Sequence, residues 1–325
     1  MPVSAKSQER PAPVREHRKY DRLIAAAKSL PRLKVAVVHP CDEASLDAAL
    51  EASDLGLMDP ILIGPTAKVS AAAARLRKDL GAFRTVDAPH SHAAAEQAVA
   101  LVRSGEAEAV MKGSLHTDEL MGAVVRREGG LRTARRISHC FVMDVPSHGE
   151  PLIITDAAVN IAPSLEEKVD IVQNAIDLAH ALRLEQVRVA ILSAMEVVNP
   201  KVPSTVEAAA LCKMADRGQI TGAVVDGPLA LDNAIDLGAA RIKNIASPVA
   251  GRANVLVVPD LEAGNMLAKS LTFLADADAA GIVLGARVPI ILTSRADSRI
   301  TRLASCAVAS LVAEAQRARL GLPEV

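Results

Sequence analysis

Near the C-terminus a threonine, a serine, an arginine and an aspartate fall within five residues, Thr293-Ser-Arg-Ala-Asp297. They sit between an apolar run over 289–292, short and branched as a buried strand is, and an amphipathic one. In the latter, Ile300, Leu303, Ala304, Ala307, Val308 and Leu311 recur at the spacing of a helix with one buried face. A polar turn between a strand and a helix start collects free backbone N–H groups at the positive end of a helix dipole, so it binds anions. The planar fork of Arg295 beside the Ser294 hydroxyl adds a bidentate cation and a donor, which points to phosphate. Asp297 and Ser298 each have two readings, as the cap of the following helix or as groups for chemistry.

Four more polar clusters follow strand-like runs: Lys112-Gly113-Ser114, Thr155-Asp156 with Asn160, Asp226-Gly227, and Asp260 with Asn265. Each alone is weak, because polar residues cap strands and helices routinely. Together with residues 293–295 they predict a cleft along the C-terminal edge of an open parallel sheet, where such sheets bind ligands. Lys112 beside Gly113 is either a donor to phosphate or thioester, or a surface lysine next to a turn glycine. Asp156 and Asn160 shape the cleft or form an Asx turn. Arg126, Arg127, Arg132, Arg135 and Arg136 read as a solvated helix end, with a polyanion contact as the alternative. His116, His139 and His148 lack metal-ligand spacing and read as satisfied or surface histidines. Cys41, Cys140, Cys212 and Cys306 carry no zinc or disulfide pattern.

The elements that must hold these residues alternate. Strands are expected over 33–39, 60–63, near 86 and over 109–112, with helices over 43–55, up to 80, over 93–103 and over 117–127. Such alternation implies right-handed crossovers and a mainly parallel sheet covered on both faces. The middle third changes character. Runs over 138–145 and 152–155 flank Pro146-Ser-His-Gly149, the pattern of a hairpin. Ser164-Leu-Glu-Glu167 is a capping box opening a helix. Strands follow over 187–192, 223–225, 254–258 and 282–284, with helices over 205–217 and 264–274. The fold class is α/β, as two domains with mainly parallel sheets and a cleft between them. Residues 1–20 form a flexible tail, 21–147 plus 288–325 the first domain, and 148–287 the second.

Bulk properties exclude some functions. A chain of 325 residues buries a large core, and two domains suit that length. A net charge of −1 and 1% aromatic residues provide neither the basic field nor the stacking rings that nucleic acid requires. No apolar run reaches the roughly 18 to 20 residues of a membrane span. The charged, proline-containing first twenty residues are no signal peptide, so a cytoplasmic protein is expected.

In chain order, Met111-Lys-Gly-Ser-Leu-His-Thr-Asp118, Asp156-Ala-Ala-Val-Asn160, Asp226-Gly-Pro228, Ser247-Pro-Val-Ala-Gly251, Pro259-Asp-Leu-Glu-Ala-Gly-Asn265 and Thr293-Ser-Arg-Ala-Asp-Ser298 carry a resemblance. The set resembles the phosphate acetyltransferase and phosphate butyryltransferase family from about residue 33 to the C-terminus. The resemblance implies a homodimer of two α/β domains, an architecture shared with isocitrate and isopropylmalate dehydrogenases. It also implies that the last strand and helix return to the first domain. The implied activity is reversible acyl transfer between coenzyme A and phosphate, with acyl-CoA, phosphate and acyl phosphate as substrates, no tightly bound cofactor and no metal. By similarity Arg295 clamps phosphate and Ser294 hydrogen-bonds it or the transition-state oxygen. Lys112, Gly113, Ser114, Asp156, Asn160, Asp226, Asn265 and Thr293 would line the substrate site.

One departure stands out. Acetyltransferase-type members carry an aspartate about two helical turns after the serine, where this chain reads Ile300-Thr301-Arg302. Asp297 is then the nearest carboxylate for a base and Asp156 a second candidate. The expectation is a phosphate acetyltransferase acting by direct attack of the CoA thiol, with phosphate butyryltransferase as the alternative. More distant alternatives are a dehydrogenase of the same architecture and a non-catalytic ligand-binding homologue. The dehydrogenase needs clustered acidic metal ligands and a tyrosine–lysine pair, and the only tyrosine, Tyr20, falls in the expected tail.

Overall fold

The computed structural model describes residues 17–293 and 297–320. It begins with α1 (Arg18–Lys28), β1 (Leu33–Val38), α2 (Glu43–Asp54), β2 (Met58–Gly64), α3 (Thr66–Leu76), β3 (Arg84–Asp87), α4 (Ser91–Arg103), β4 (Ala109–Lys112) and α5 (Thr117–Val124). The hairpin β5 (Ser138–Asp144) and β6 (Leu152–Thr155) follows, then α6 (Leu165–Ala181), β7 (Arg188–Leu192), α7 (Pro203–Asp216) and β8 (Val224–Leu229). Next come the short α8 (Leu231–Ile235) and α9 (Leu237–Ile242), β9 (Val255–Val257) and α10 (Leu261–Leu274). The last elements are β10 (Asp278–Leu284), β11 (Ile290–Ile291) and α11 (Arg299–Leu320).

These strands form one sheet in the order β3-β2-β1-β4-β11-β10-β5-β6-β9-β7-β8. Late in sequence, β11 pairs in parallel with β4, so the chain end returns to the strands where it began. Neighbours are parallel except at the centre, where β11–β10, β10–β5 and β5–β6 are antiparallel. Three reversals leave β6, β9, β7 and β8 pointing opposite to β4. The expected single C-terminal edge is therefore corrected: the polar ends of β4 and β6 lie toward opposite edges.

Strand residues alternate between two sets of partners, as the period of 2 requires. On β1, Val35 and Val37 enter one core while Ala36 and Val38 enter another. The first of these cores runs unbroken under the sheet from Met58 on β2 through Met111, Cys140, Ile153 and Val255 to Val189 on β7. Helices α1, α2, α6, α7 and α11 supply its other side. The opposite face holds two separate clusters. One joins α4 and α5 to β1, β2 and β4; the other joins α8, α9 and α10 to β5, β6, β7 and β9.

Several local expectations hold. Leu303, Ala304, Ala307, Val308 and Leu311 are all buried along α11, the stripe read from spacing. Ser164 and Glu167 make the reciprocal capping box that opens α6. The residues joining β5 to β6 form the hairpin turn. The strand expected over 223–225 extends through Asp226, Gly227 and Pro228 to Leu229, because β8 is an edge strand where the missing proline N–H costs no ladder bond. Among the described residues no helix is long and apolar enough to cross a membrane.

The expected tail over 1–20 ends earlier than composition implied. Residues from Arg18 onward are helical, and Tyr20 is fully buried under the sheet. Its hydroxyl donates to the Val142 carbonyl at 2.7 Å and accepts the Ala280 amide at 2.8 Å, bridging β5 and β10. Beside it the Lys19 ammonium donates to Asp144 Oδ1 and to the Val145 carbonyl, each at 2.7 Å. Charged residues hid this helix from a reading by composition; the buried side is a short stripe, with Leu23, Ile24 and Ala27 completing it. Replacing Tyr20 by Phe removes a hydroxyl with two buried strand partners and is expected to cost about 1–3 kcal/mol. Urea unfolding followed by far-UV circular dichroism measures it, and a midpoint equal to that of the parent protein would show the bridge to be dispensable.

Candidate active site

Between the two clusters of the divided face lies a cavity of about 1190 Å³. Leu115 and Leu292 come to it from one cluster, Phe141 and Ala279 from the other. Helix α10 forms a wall, because Asn265, Ala268, Lys269, Thr272 and Phe273 recur at the spacing that puts them on one helical face. The starts of α5 and α11 reach the same space, through His116 and Thr117 and through Asp297, Ser298 and Thr301.

Lys112 is the last residue of β4, and its side chain lines the cavity although the residue is almost wholly buried. Gly113 behind it permits a close approach of β4 to β1: a Cβ there would stand 2.3 Å from the Val38 carbonyl oxygen. The Ser114 hydroxyl donates to the His39 carbonyl at 2.8 Å and accepts the Cys41 amide at 3.2 Å. Gly113 and Ser114 thus set where β4 ends and aim Lys112, and neither lines the cavity. The start of α5 has His116 in the capping position without a side-chain cap, and His116 and Thr117 line this space.

At the start of α11, Ser298 takes the capping reading. Ser298 Oγ accepts the Thr301 amide at 3.2 Å and is the cap. It also donates to Asp278 Oδ1 at 2.9 Å, and Thr301 Oγ1 donates to the same oxygen at 3.0 Å. The Asp297 carbonyl accepts from Arg302 Nη1 at 2.7 Å. With capping assigned to Ser298, Asp297 lines the cavity beside a buried Thr293. Ser294 and Arg295, the two residues on which the sequence reading leaned hardest, lie outside the described residues.

Other expected site residues have different work. Asp156 is buried, and its carboxylate accepts the amides of His139, Ala158, Val159 and Asn160 at 2.9–3.3 Å. Asn160 Nδ2 donates to the same carboxylate at 2.6 Å and to the Ile137 carbonyl at 2.9 Å. Such an acceptor is saturated by the turn it organises, so Asp156 and Asn160 follow the Asx-turn reading and do not line the cavity. Asp226 lies on β8 at the far edge of the sheet, with its carboxylate on the Gly227 amide, well away from this space. Asn265 does line the cavity, from the first turns of α10. Within the arginine run, Arg126 pairs with Glu96, Arg135 with Asp177 and Arg136 with Glu167. None of the five arginines lines the cavity.

Sequence reasoning missed His139. It lies one residue into β5, is 1% exposed, and lines the cavity with its ring edge-on to Phe141, centroids 4.4 Å apart. Burial pushes its imidazole down to about 4, against the opposing pull of the Asp156 carboxylate. It is therefore neutral at physiological pH. The signal was available: His139 shares a strand face with Phe141 and Met143, and an ionisable group on an apolar face needs a reason. Its neighbour Cys140 faces the other way, where burial pushes the thiol up to about 12, too high for a nucleophile at neutral pH. Among the described residues no three His, Cys, Asp or Glu side chains are grouped to hold a metal ion.

The cavity joins two lysines, Lys112 and Lys269, three carboxylates, Asp276, Asp278 and Asp297, and two helix starts to an apolar floor, which suits a substrate with a charged end and an uncharged end. Known proteins agree. Residues 90–310 match the family described as "Phosphate acetyl/butaryl transferase". A phosphate acetyltransferase of Rhizobium meliloti is 67% identical over 300 residues, which cover 92% of this chain and 95% of that protein. A phosphate butyryltransferase of Clostridium acetobutylicum is 43% identical, covering 90% of this chain and 98% of that one. The crystal structure of a branched-chain phosphotransacylase from Enterococcus faecalis superposes with a TM-score of 0.76 at 31% identity, covering 86% of this chain and 99% of that one. On the family match over residues 90–310 and the relative 67% identical over 92% of its length, this chain belongs to the phosphate acetyl/butyryl transferase family.

Proposed function

We propose that this protein is a phosphate acetyltransferase, moving an acetyl group reversibly between coenzyme A and inorganic phosphate. One observation carries the reading: the cavity sets Lys112 and the starts of α5 and α11 around an apolar floor. A phosphoryl group suits the first and an acyl group the second. The 67% identical Rhizobium meliloti protein favours acetyl as the acyl group. The 43% identical Clostridium acetobutylicum protein keeps butyryl as the second reading.

The reaction is direct. The CoA sulfur attacks the carbonyl carbon of acetyl phosphate, the C–S bond forms, the carbon–oxygen bond to phosphate breaks, and that electron pair stays with phosphate. The thiol proton ends on phosphate. Holding both reactants in one cleft replaces a bimolecular encounter, and fixed donors offset the charge that develops. Lys112 and the N–H groups opening α5 attract the phosphoryl oxygens. Arg295 clamps them bidentately and Ser294 donates to them or to the carbonyl oxygen, roles read from the sequence. Asp297, which lines the cavity, receives the thiol proton in passage. Thr293 and Asn265 complete the polar lining.

The reading extends to organisation. The divided core supports two domains, 21–147 with 288–325 and 148–287, meeting at the cavity. Phe273 and Leu274 project at 78% and 85% exposure from the end of α10, which supports a partner surface in a homodimer. Four free thiols suit a cytoplasmic setting.

Purified protein given acetyl-CoA should release free thiol only when phosphate is present, and release from butyryl-CoA should be slower. Phosphate-independent release, or none, would refute an acyltransferase; faster butyryl release would move the reading to the second acyl group. Ser294→Ala and Arg295→Ala are each expected to lower the rate about 100-fold or more. Lys112→Met should act chiefly by raising KM for phosphate and acetyl phosphate, because a cation that holds the ground state and transition state alike affects binding first. A Lys112→Met enzyme with the parent KM values would remove the lysine from the phosphate site.

A further inference from the structure

The neutral, almost fully buried His139 lines the cavity yet has no part in the mechanism above. We infer that His139 is a catalytic residue whose uncharged ring donates a hydrogen bond to the acyl carbonyl oxygen as negative charge develops there. This rests on the acyltransferase reading.

Three features of the structure lead to it. First, both backbone groups of His139 are tied: its amide donates to Asp156 Oδ2 at 3.1 Å, and its carbonyl accepts Thr155 Oγ1 at 2.9 Å. The ring is further held edge-on to Phe141. A donor fixed before the reaction loses little orientation at the moment of charge development. Second, ring Nδ1 is buried and finds no hydrogen-bond partner among the described residues. A proton there would be an unpaired buried N–H, so the tautomer that leaves Nδ1 bare and protonates Nε2 is favoured. Opposite Nε2 the chain has Gly281, where a Cβ would come to 3.1 Å from that nitrogen and 2.5 Å from the Leu292 carbonyl oxygen. Glycine keeps room beside the nitrogen that carries the proton.

Third, the surroundings divide by charge. Phe141 packs against the ring and Ala279 and Leu292 line the same cavity, whereas Lys112, His116, Lys269, Asp276, Asp278 and Asp297 line it from the end of β4, from α5 and α10, and from the starts of β10 and α11. An imidazolium would compete for the phosphoryl group and would repel Lys112. A neutral ring does neither, and an N–H in an apolar setting stabilises an oxyanion more strongly than it would in water. No proton is transferred. In the tetrahedral intermediate the carbonyl pair resides on oxygen while the Nε2–H bond to it shortens; when the C–O bond to phosphate breaks, the pair returns to re-form C=O.

Two substitutions and one spectroscopic measurement decide it. His139→Met keeps an apolar volume and removes the donor; His139→Gln keeps an N–H near the place of Nε2 but cannot serve as a base. The Met enzyme should lose about 100-fold in kcat, with KM for acetyl phosphate and CoA little changed, and the Gln enzyme should recover at least about tenfold of that loss. A Met enzyme with nearly the parent kcat, a loss confined to KM, or a Gln enzyme as slow as Met would each overturn the assignment. A parent protein with no phosphate-dependent activity would instead overturn the acyltransferase reading. The native protein supplies an arm that does not depend on the variants folding. Nitrogen-15 spectra of its histidine rings, with His139 identified by contact with Phe141, should give a neutral Nε2–H form from pH 5.5 to 8. That resonance should move when acetyl phosphate and desulfo-CoA are added together. An imidazolium signal at pH 6.5, or no movement on adding both, would also overturn it.

Discussion

The structure depends on an inequality between the two faces of one sheet. Beneath, a continuous core ties the sheet, from β2 across to β7, to α1, α2, α6, α7 and α11. Above, apolar side chains gather in two clusters that do not meet. Strands buried on both sides ordinarily read as unbroken apolar runs. Here the central strands are fully backed on one side only, and the other side is left for a ligand. The backing matters because an open cavity over a weakly held sheet would close by rearrangement; hydrophobic burial has no preferred geometry of its own. Tyr20 and Lys19 add directional bonds under the cavity, joining β5, β10 and the residue after β5.

On the open side, carboxylates perform the fixing. Asp156 gathers four amides and one side-chain amide, which fixes the start of β5 relative to the end of β6. Asp278 takes the hydroxyls of Ser298 and Thr301, which fixes the start of α11 against β10. In both cases an acid satisfies groups at an element's end, where the backbone lacks its own partners. Their common effect is to hold the start of α11 and the strand that carries His139 in set positions on a shared cavity. Chemistry by preorganised donors needs this kind of support more than it needs additional reactive groups.

Much of this was legible in sequence because it rests on local periodicity. The stripe along α11, the capping box of α6 and the β5–β6 hairpin are each encoded within about one element's length, and each appears where spacing put it. Strand direction was not legible. Nothing local in the short run 152–155 or 290–291 states whether its neighbour is parallel, and three antiparallel pairings reversed half the sheet. The same gap misled the reading of Asp226, which lies on a strand but a distant one. The α1 helix escaped because its charges dominate its composition, whereas Tyr20 and Lys19 find their partners more than a hundred residues away.

Charge explains why the missing helix acid at residues 300–302 does not leave the site without means. An acid at the first turn of α11 would lie close to Asp278, which already meets the Thr301 hydroxyl. Two carboxylates so placed disfavour each other's ionised form, and one would carry a proton. Threonine instead donates to Asp278, and Ser298 donates beside it, so a single negative group is held where the helix dipole is positive. Asp297, one residue earlier, lines the cavity. The helix start thus gathers its stabilising acid from β10 rather than from its own sequence, which is why a reading confined to the helix found none.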